Sequence, residues 1–149
     1  MEPILLYNSE TWALTSTLAN EVDAFHRRLL RISINIRYPK LISDKKLYTL
    51  TKEPLLSEKI QKRRLKLLGH ILRLHQETPA QKALNFYVTP HPRPVGRPIL
   101  TWITLIIKYL QKTLITHNIK TPLTVSSLEK LKFLAKDKNL WRMEITRNK

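Results

Sequence analysis

A chain of 149 residues with 42% hydrophobic side chains is long enough to bury a core and too apolar for a disordered tail. Its 27 Lys and Arg against 11 Asp and Glu leave a formal charge of +16, a surplus that suits DNA or RNA better than a membrane surface, which calls for one cationic amphipathic helix edged with aromatics. The absence of cysteine excludes disulfides and thiolate zinc sites, zinc fingers and knuckles included, while only 2 glycines favour helices joined by short polar or proline-marked connections.

In chain order, the first element is an amphipathic helix over Asn20 to Ile36. Leu18, Val22, Phe25, Leu29, Ile32 and Ile36 recur there at steps of four and three, which places them on one face. Thr15 or Ser16 is suited to cap its start, and Pro39 limits its end. Ser43 is placed to cap a short helix through Leu47 and Leu50 that closes at Glu53 and Pro54. A second long helix runs from Leu55 to Leu74. Its apolar stripe is Ile60, Leu67, Ile71 and Leu74, widened by Leu65, Leu68 and Leu72, with Lys59, Lys62, Arg63 and Lys66 on the solvent side. Gly69 inside it costs about 1 kcal/mol relative to alanine, so a close helix–helix approach is expected there.

Thr78 and Pro79 open a short helix to about Phe86, with proline at the first helical position. Thr89 to Pro98 holds four prolines and cannot be helical, so residues 89–98 form a Pro-rich linker between lobes 1–88 and 99–149. From Ile99 a third long helix reaches about His117 with Ile99, Trp102, Ile103, Ile106 and Leu110 inward. Ser126 or Ser127 is suited to cap a last helix through Leu128, Leu131 and Leu134, continued by Trp141 and Ile145. The expected fold is all-α, an irregular helical bundle in one domain or two small lobes. The apolar run from Ile99 to Ile107 is stopped by Lys108, too short to span a bilayer, and a first basic residue at Arg27 argues against a presequence.

Two-metal polymerases and nucleases gather carboxylates around ions about 4 Å apart. The three aspartates, Asp23, Asp44 and Asp137, stand far apart in sequence, and Glu21 and Asp23 sit at a helix start, where acids complement the dipole. His26, His70, His75, His91 and His117 show no ligand spacing. No catalytic residue, metal site or cofactor is therefore expected, nor any phosphate-cradling glycine loop.

The basic segments are the positive signal. Lys59 to Lys66 places five cations in eight residues on a helix, suited to track phosphates; a plain solvated helix face or a nuclear-localisation signal are the other readings. Arg27, Arg28 and Arg31 repeat the arrangement on the first helix, and the two would make one basic surface if packed antiparallel. Arg97, in the segment HPRPVGRP, has the Gly-Arg-Pro core of minor-groove hooks, although a linker role carries more weight for so short a match. Tyr7, Trp12, Trp102 and Trp141 are able to stack on bases, yet Trp102 and Trp141 lie on apolar stripes and are assigned to the core. The candidate contacts are Arg27, Arg28, Arg31, Lys59, Lys62, Arg63, Lys66 and Arg97.

Several segments also follow one another in a familiar order: Leu5 to Trp12 (LLYNSETW), Phe25 to Ile32 (FHRRLLRI), Arg63 to Arg73 (RRLKLLGHILR), Gly96 to Pro98, Thr101 with Trp102, and Ala135 to Arg142 (AKDKNLWR). This series, over nearly the whole chain, resembles the C-terminal region of LINE-type, non-LTR retrotransposon reverse transcriptases. The resemblance implies the end of the thumb and the helical tail beyond the catalytic palm. It implies a part that holds template RNA, target DNA or their duplex for RNA-directed DNA synthesis, without the palm's catalytic aspartates. Partners would be RNA, DNA and the upstream polymerase domains, with no membrane, in the nucleus or a cytoplasmic ribonucleoprotein. The start at Met1 falls mid-element compared with the family, as in a truncated copy. Three departures stand out. Asn8 occupies a position usually glycine or cysteine at a tight turn, Lys66 replaces an aromatic or arginine, and Lys138 replaces an arginine able to pair with Asp137. The alternative reading is an interaction fragment whose Ile4, Leu5, Leu6, Tyr7 and Trp12 pack on the missing palm, or an inert product of a truncated element.

Overall fold

The computed structural model describes residues 2–37, 39–88, 101–113 and 125–146. Among the described residues there are eight α-helices, a 3-10 turn at Ser9–Thr11 and no strand, so the fold is all-α. The helices are α1 (Glu2–Leu5), α2 (Ser16–Ser33), α3 (Asp44–Thr51), α4 (Leu56–Arg73), α5 (Pro79–Val88), α6 (Trp102–Thr113), α7 (Val125–Lys136) and α8 (Lys138–Thr146). They form two compact units, Met1–Tyr7 with Leu14–Gln61 and Asn8–Ala13 with Lys62–Lys149, and the division falls inside α4.

In the first unit, local chemistry sets the helix ends. The Thr15 hydroxyl accepts from the Leu18 amide and caps α2. The helix stops before Pro39 because Asn35 takes a left-handed conformation, φ 55°. The Asn35 amide then donates to the Ile32 carbonyl and the Ile36 amide to that of Arg31, the paired bonds of a Schellman closure. Ile36 is thus outside the helix rather than its last turn. Ser43 caps α3 by accepting from the Lys46 amide, as its position suggests, and left-handed Lys52 closes that helix.

The face that α2 buries is turned away from the expected one, of which Val22 and Leu29 are only half-buried. Leu18, Phe25 and Ile32 are 45%, 50% and 54% exposed, whereas Asp23 and His26 are buried. The inward row is Ala19, Asp23, His26 and Leu30, one residue or about 100° around the helix from the apolar stripe. The Asp23 carboxylate explains the rotation. It accepts from the Ser57 amide at 2.8 Å and the Ser57 hydroxyl at 2.7 Å, so a side chain of α2 satisfies the open amino end of α4. Apolar burial in this unit is modest, centred on Leu6, Leu47, Leu56 and Ile60.

The second unit holds the larger core. Leu65, Leu68 and Leu72 of α4 meet Leu84 and Val88 of α5, Ile106, Ile107 and Leu110 of α6, Leu128, Leu131 and Ala135 of α7, and Trp141 and Ile145 of α8. On α4 the fully buried row is therefore Leu65, Leu68 and Leu72, while Leu67, Ile71 and Leu74 are half-buried at its margin. The core draws on residues from both sides of 89–98, a segment outside the described residues, as are Ile99 and His117.

Gly69 lets the Trp141 indole lie directly on α4. A Cβ there would fall 2.2 Å from the indole nitrogen, and that nitrogen donates to the Leu65 carbonyl at 3.0 Å. Trp102, half-buried against the core, donates through its indole nitrogen to the Glu10 carbonyl at 2.6 Å and so ties the Ser9–Thr11 turn to α6. Both tryptophans pack, as expected. Asn8 supplies that turn with a left-handed residue, φ 54°, so the tight turn forms without glycine.

The last helix departs from expectation. Ser127 is buried within α7 and does not cap it. Asp137 interrupts the chain and caps a separate helix, its Oδ1 accepting from the amides of Asn139 (2.8 Å) and Leu140 (3.2 Å). Its carboxylate is thereby engaged at α8 whatever cation stands at position 138. A void of about 10 Å³ among Leu68, Ile107 and Leu131 is apolar and offers a water no partner.

Candidate nucleic-acid interface

The arginines of α2 converge on one acid. Arg27 Nε lies 3.2 Å and Arg31 Nη2 2.5 Å from the two oxygens of Asp44, the first residue of α3. Asp44 is about half exposed, so solvent screens the cluster and its contribution to stability is small. Two of the three predicted cations on this helix are thus partly neutralised, and Arg28 is left exposed. Lys59, at the other end of the unit, is paired with Glu53. Tyr48 lies close to Arg27 and Asp44. Burial raises its hydroxyl pKa above the usual tyrosine value, and the Arg27 guanidinium opposes the shift.

Along α4 in the second unit the pattern differs. Arg63 and Lys66 are exposed and Lys62 is half-exposed, with no carboxylate in ion-pair contact with Lys62 or Lys66 among the described residues. Helical spacing carries the same line through exposed His70 and Arg73, two residues absent from the sequence-based set. Steps of three and four from Arg63 (66, 70, 73) mark them, although both stand outside the dense KRRLK run. Arg73 also donates to the Ala135 carbonyl at 2.9 Å, which braces its guanidinium against the end of α7. From Lys62 to Arg73 the row covers roughly 17 Å at 1.5 Å per residue, about five steps of 3.4 Å along a strand.

Arg64 is the exception within the basic run. It points to the packed side of α4, only 5% exposed, and burial lowers its pKa. Arg97 lies outside the described residues. The aspartates each have a structural task, Asp23 and Asp137 as helix caps and Asp44 as the acid between two arginines. Among the described residues no three His, Asp or Glu side chains are grouped to hold a metal ion, and no helix is long and apolar enough to cross a membrane. Tyr7 is exposed and Trp12 half-buried.

Compared with known proteins, the chain matches no family model, no curated protein and no solved structure. The residues and their geometry carry the functional argument.

Proposed function

We propose that this chain binds single-stranded or duplex nucleic acid through the outward row of α4, gripping a strand without performing chemistry on it. The carrying observation is the alignment of Lys62, Arg63, Lys66, His70 and Arg73 on one exposed side of a rigid helix, in a chain of formal charge +16. The cations of this row, Lys62, Arg63, Lys66 and Arg73, release condensed counterions when they meet a phosphate backbone, and that release supplies affinity without sequence preference. The resemblance of the ordered motifs to non-LTR retrotransposon reverse transcriptases supports a setting in which this grip would hold template RNA, target DNA or their hybrid beside the polymerase. Within the first unit, Arg28 of α2 is exposed and able to meet a phosphate by itself, and Arg27 and Arg31 do so only in competition with Asp44.

The test is a salt titration of binding to single-stranded RNA, duplex DNA and hybrid duplex. Four or five phosphate contacts give log–log slopes of roughly −3 to −4.5. Exchanging Lys62, Arg63 and Lys66 together for glutamate should flatten the slope by at least about 2. A slope near zero for the natural chain removes the proposal.

A second reading rests on a specific observation. The row Leu18, Phe25 and Ile32 is about half exposed, and Ile4 and Tyr7 of the first unit are more than four-fifths exposed. Such apolar surface suits docking onto a protein partner, the upstream polymerase domains in the retrotransposon setting. Self-association of the lone chain that is abolished by Phe25→Ser and Ile32→Ser favours this reading.

A further inference from the structure

Arg64 is a charged side chain 95% withdrawn from solvent, in the middle of the most basic segment of the chain. Its Nε and Nη2 groups are both shielded, and among the described residues neither has an acceptor. These two nitrogens form one edge of the guanidinium, the side-on fork whose parallel N–H bonds match two oxygens of a phosphate or carboxylate. Burial is the cause of its lowered pKa, and among the described residues no carboxylate forms an ion pair with it. A sequence under selection for stability alone would place leucine or methionine here, since a buried charge without a partner is among the costliest features of a fold. The neighbours on the same helix, Leu65 and Leu68, are themselves buried and apolar, which strengthens any ionic bond formed there.

We infer that the Nε–Nη2 edge of Arg64 is a closed oxyanion site, which takes a phosphodiester group of the bound strand when the side chains packed over it shift. The inference rests on the nucleic-acid reading above and deepens it. Lys62, Arg63 and Lys66 attract the backbone electrostatically from the outer side of α4, and Arg64 supplies a bidentate contact whose fork is shielded from water until the strand binds. The fork selects the phosphate by geometry, whereas each lysine acts as a point charge. In the free chain the edge is withdrawn from solvent, at a cost in stability recovered on binding.

The experiment compares the natural 149-residue chain with Arg64→Met and Arg64→Lys. Methionine should raise Tm by several degrees, about 3 °C or more, because the stranded charge is gone. It should also weaken binding to single-stranded RNA by roughly ten- to hundredfold and flatten the salt slope by about 0.7. Lysine keeps the charge and loses the fork, so it should bind more weakly than the natural chain by about tenfold with little change in slope. Inorganic phosphate, added against chloride at constant ionic strength, should raise Tm of the natural chain more than that of either variant. A higher Tm in Arg64→Met with undiminished RNA affinity overturns the inference, as does a lower Tm, which would show the guanidinium held by partners of the fold. Lysine binding as tightly as arginine also overturns it. Should the natural chain fail to bind RNA, the nucleic-acid reading falls and the strand phosphate with it. The Tm response to phosphate, lost in both variants, would then still show an oxyanion site at Arg64. A response to acetate in place of phosphate redirects the site to a protein carboxylate and refutes the phosphodiester.

Discussion

Gly69→Ala separates packing from helix propensity, because the two predict opposite signs. Alanine in the middle of α4 is favoured over glycine by about 1 kcal/mol on backbone grounds alone. The new methyl carbon, however, would sit 2.2 Å from Trp141 Nε1, 2.7 Å from Cδ1 and 2.8 Å from Cε2. Ordinary contact begins near 3.4 Å, so the indole must retreat by about 1.2 Å. It is a flat, buried ring rather than the tip of a flexible chain, and its retreat breaks the 3.0 Å bond to the Leu65 carbonyl. Overpacking costs about 1–3 kcal/mol and an orphaned buried N–H about 1–3 kcal/mol. After subtraction of the propensity gain, a net loss of about 1–5 kcal/mol is expected, or roughly 3–15 °C in Tm for a chain of this size. Urea unfolding followed by far-ultraviolet circular dichroism measures it. In a Trp141→Leu background the same substitution should be neutral or stabilising, and the difference is the coupling between the two positions. A stabilised Gly69→Ala single variant refutes the packing argument.

Three further expectations come from single residues. Asp23→Ala leaves the buried Ser57 amide and hydroxyl without their acceptor, so it should cost about 2–3 kcal/mol in urea unfolding, with Asp23→Asn milder; an unchanged midpoint would mean that water caps α4 equally well. Asp44→Ala releases Arg27 and Arg31 at a stability cost below about 1 kcal/mol. It should tighten RNA binding at low salt and steepen the slope by up to about 1.5, and an unaltered slope would remove α2 from the interface. Tyr48 has a raised pKa in the folded chain, so the fold favours its protonated form. The unfolded chain therefore releases that proton first as pH rises past about 10, and stability falls from there up to the folded pKa. Tyr48→Phe should lose this component of the alkaline decline, read as the difference between the two unfolding-versus-pH curves.

Much of the local structure is written in short-range signals. Thr15 and Ser43 cap the helices that follow them, Pro79 opens α5, and the low glycine content with steps of three and four yields helices throughout. The mid-helix glycine announced a close approach, and the approach exists. These are properties of neighbouring residues, and a linear reading captures them because their partners lie within one or two turns.

Orientation was decided elsewhere. Periodicity marks an apolar face on α2 but not whether anything covers it, and the Asp23–Ser57 bonds, made across 34 residues, turn a polar row inward instead. Asp44 drawing two arginines together, Asp137 splitting the last helix and Trp141 seated on Gly69 likewise depend on contacts between residues distant in sequence or on competition for the same backbone groups. Cationic excess and helical class belong to the sequence itself, since charge adds residue by residue and helix bonds are local. Which cations face solvent, and that Arg64 alone of the basic run is buried, only the packed chain determines, because burial is a property of everything that surrounds a side chain.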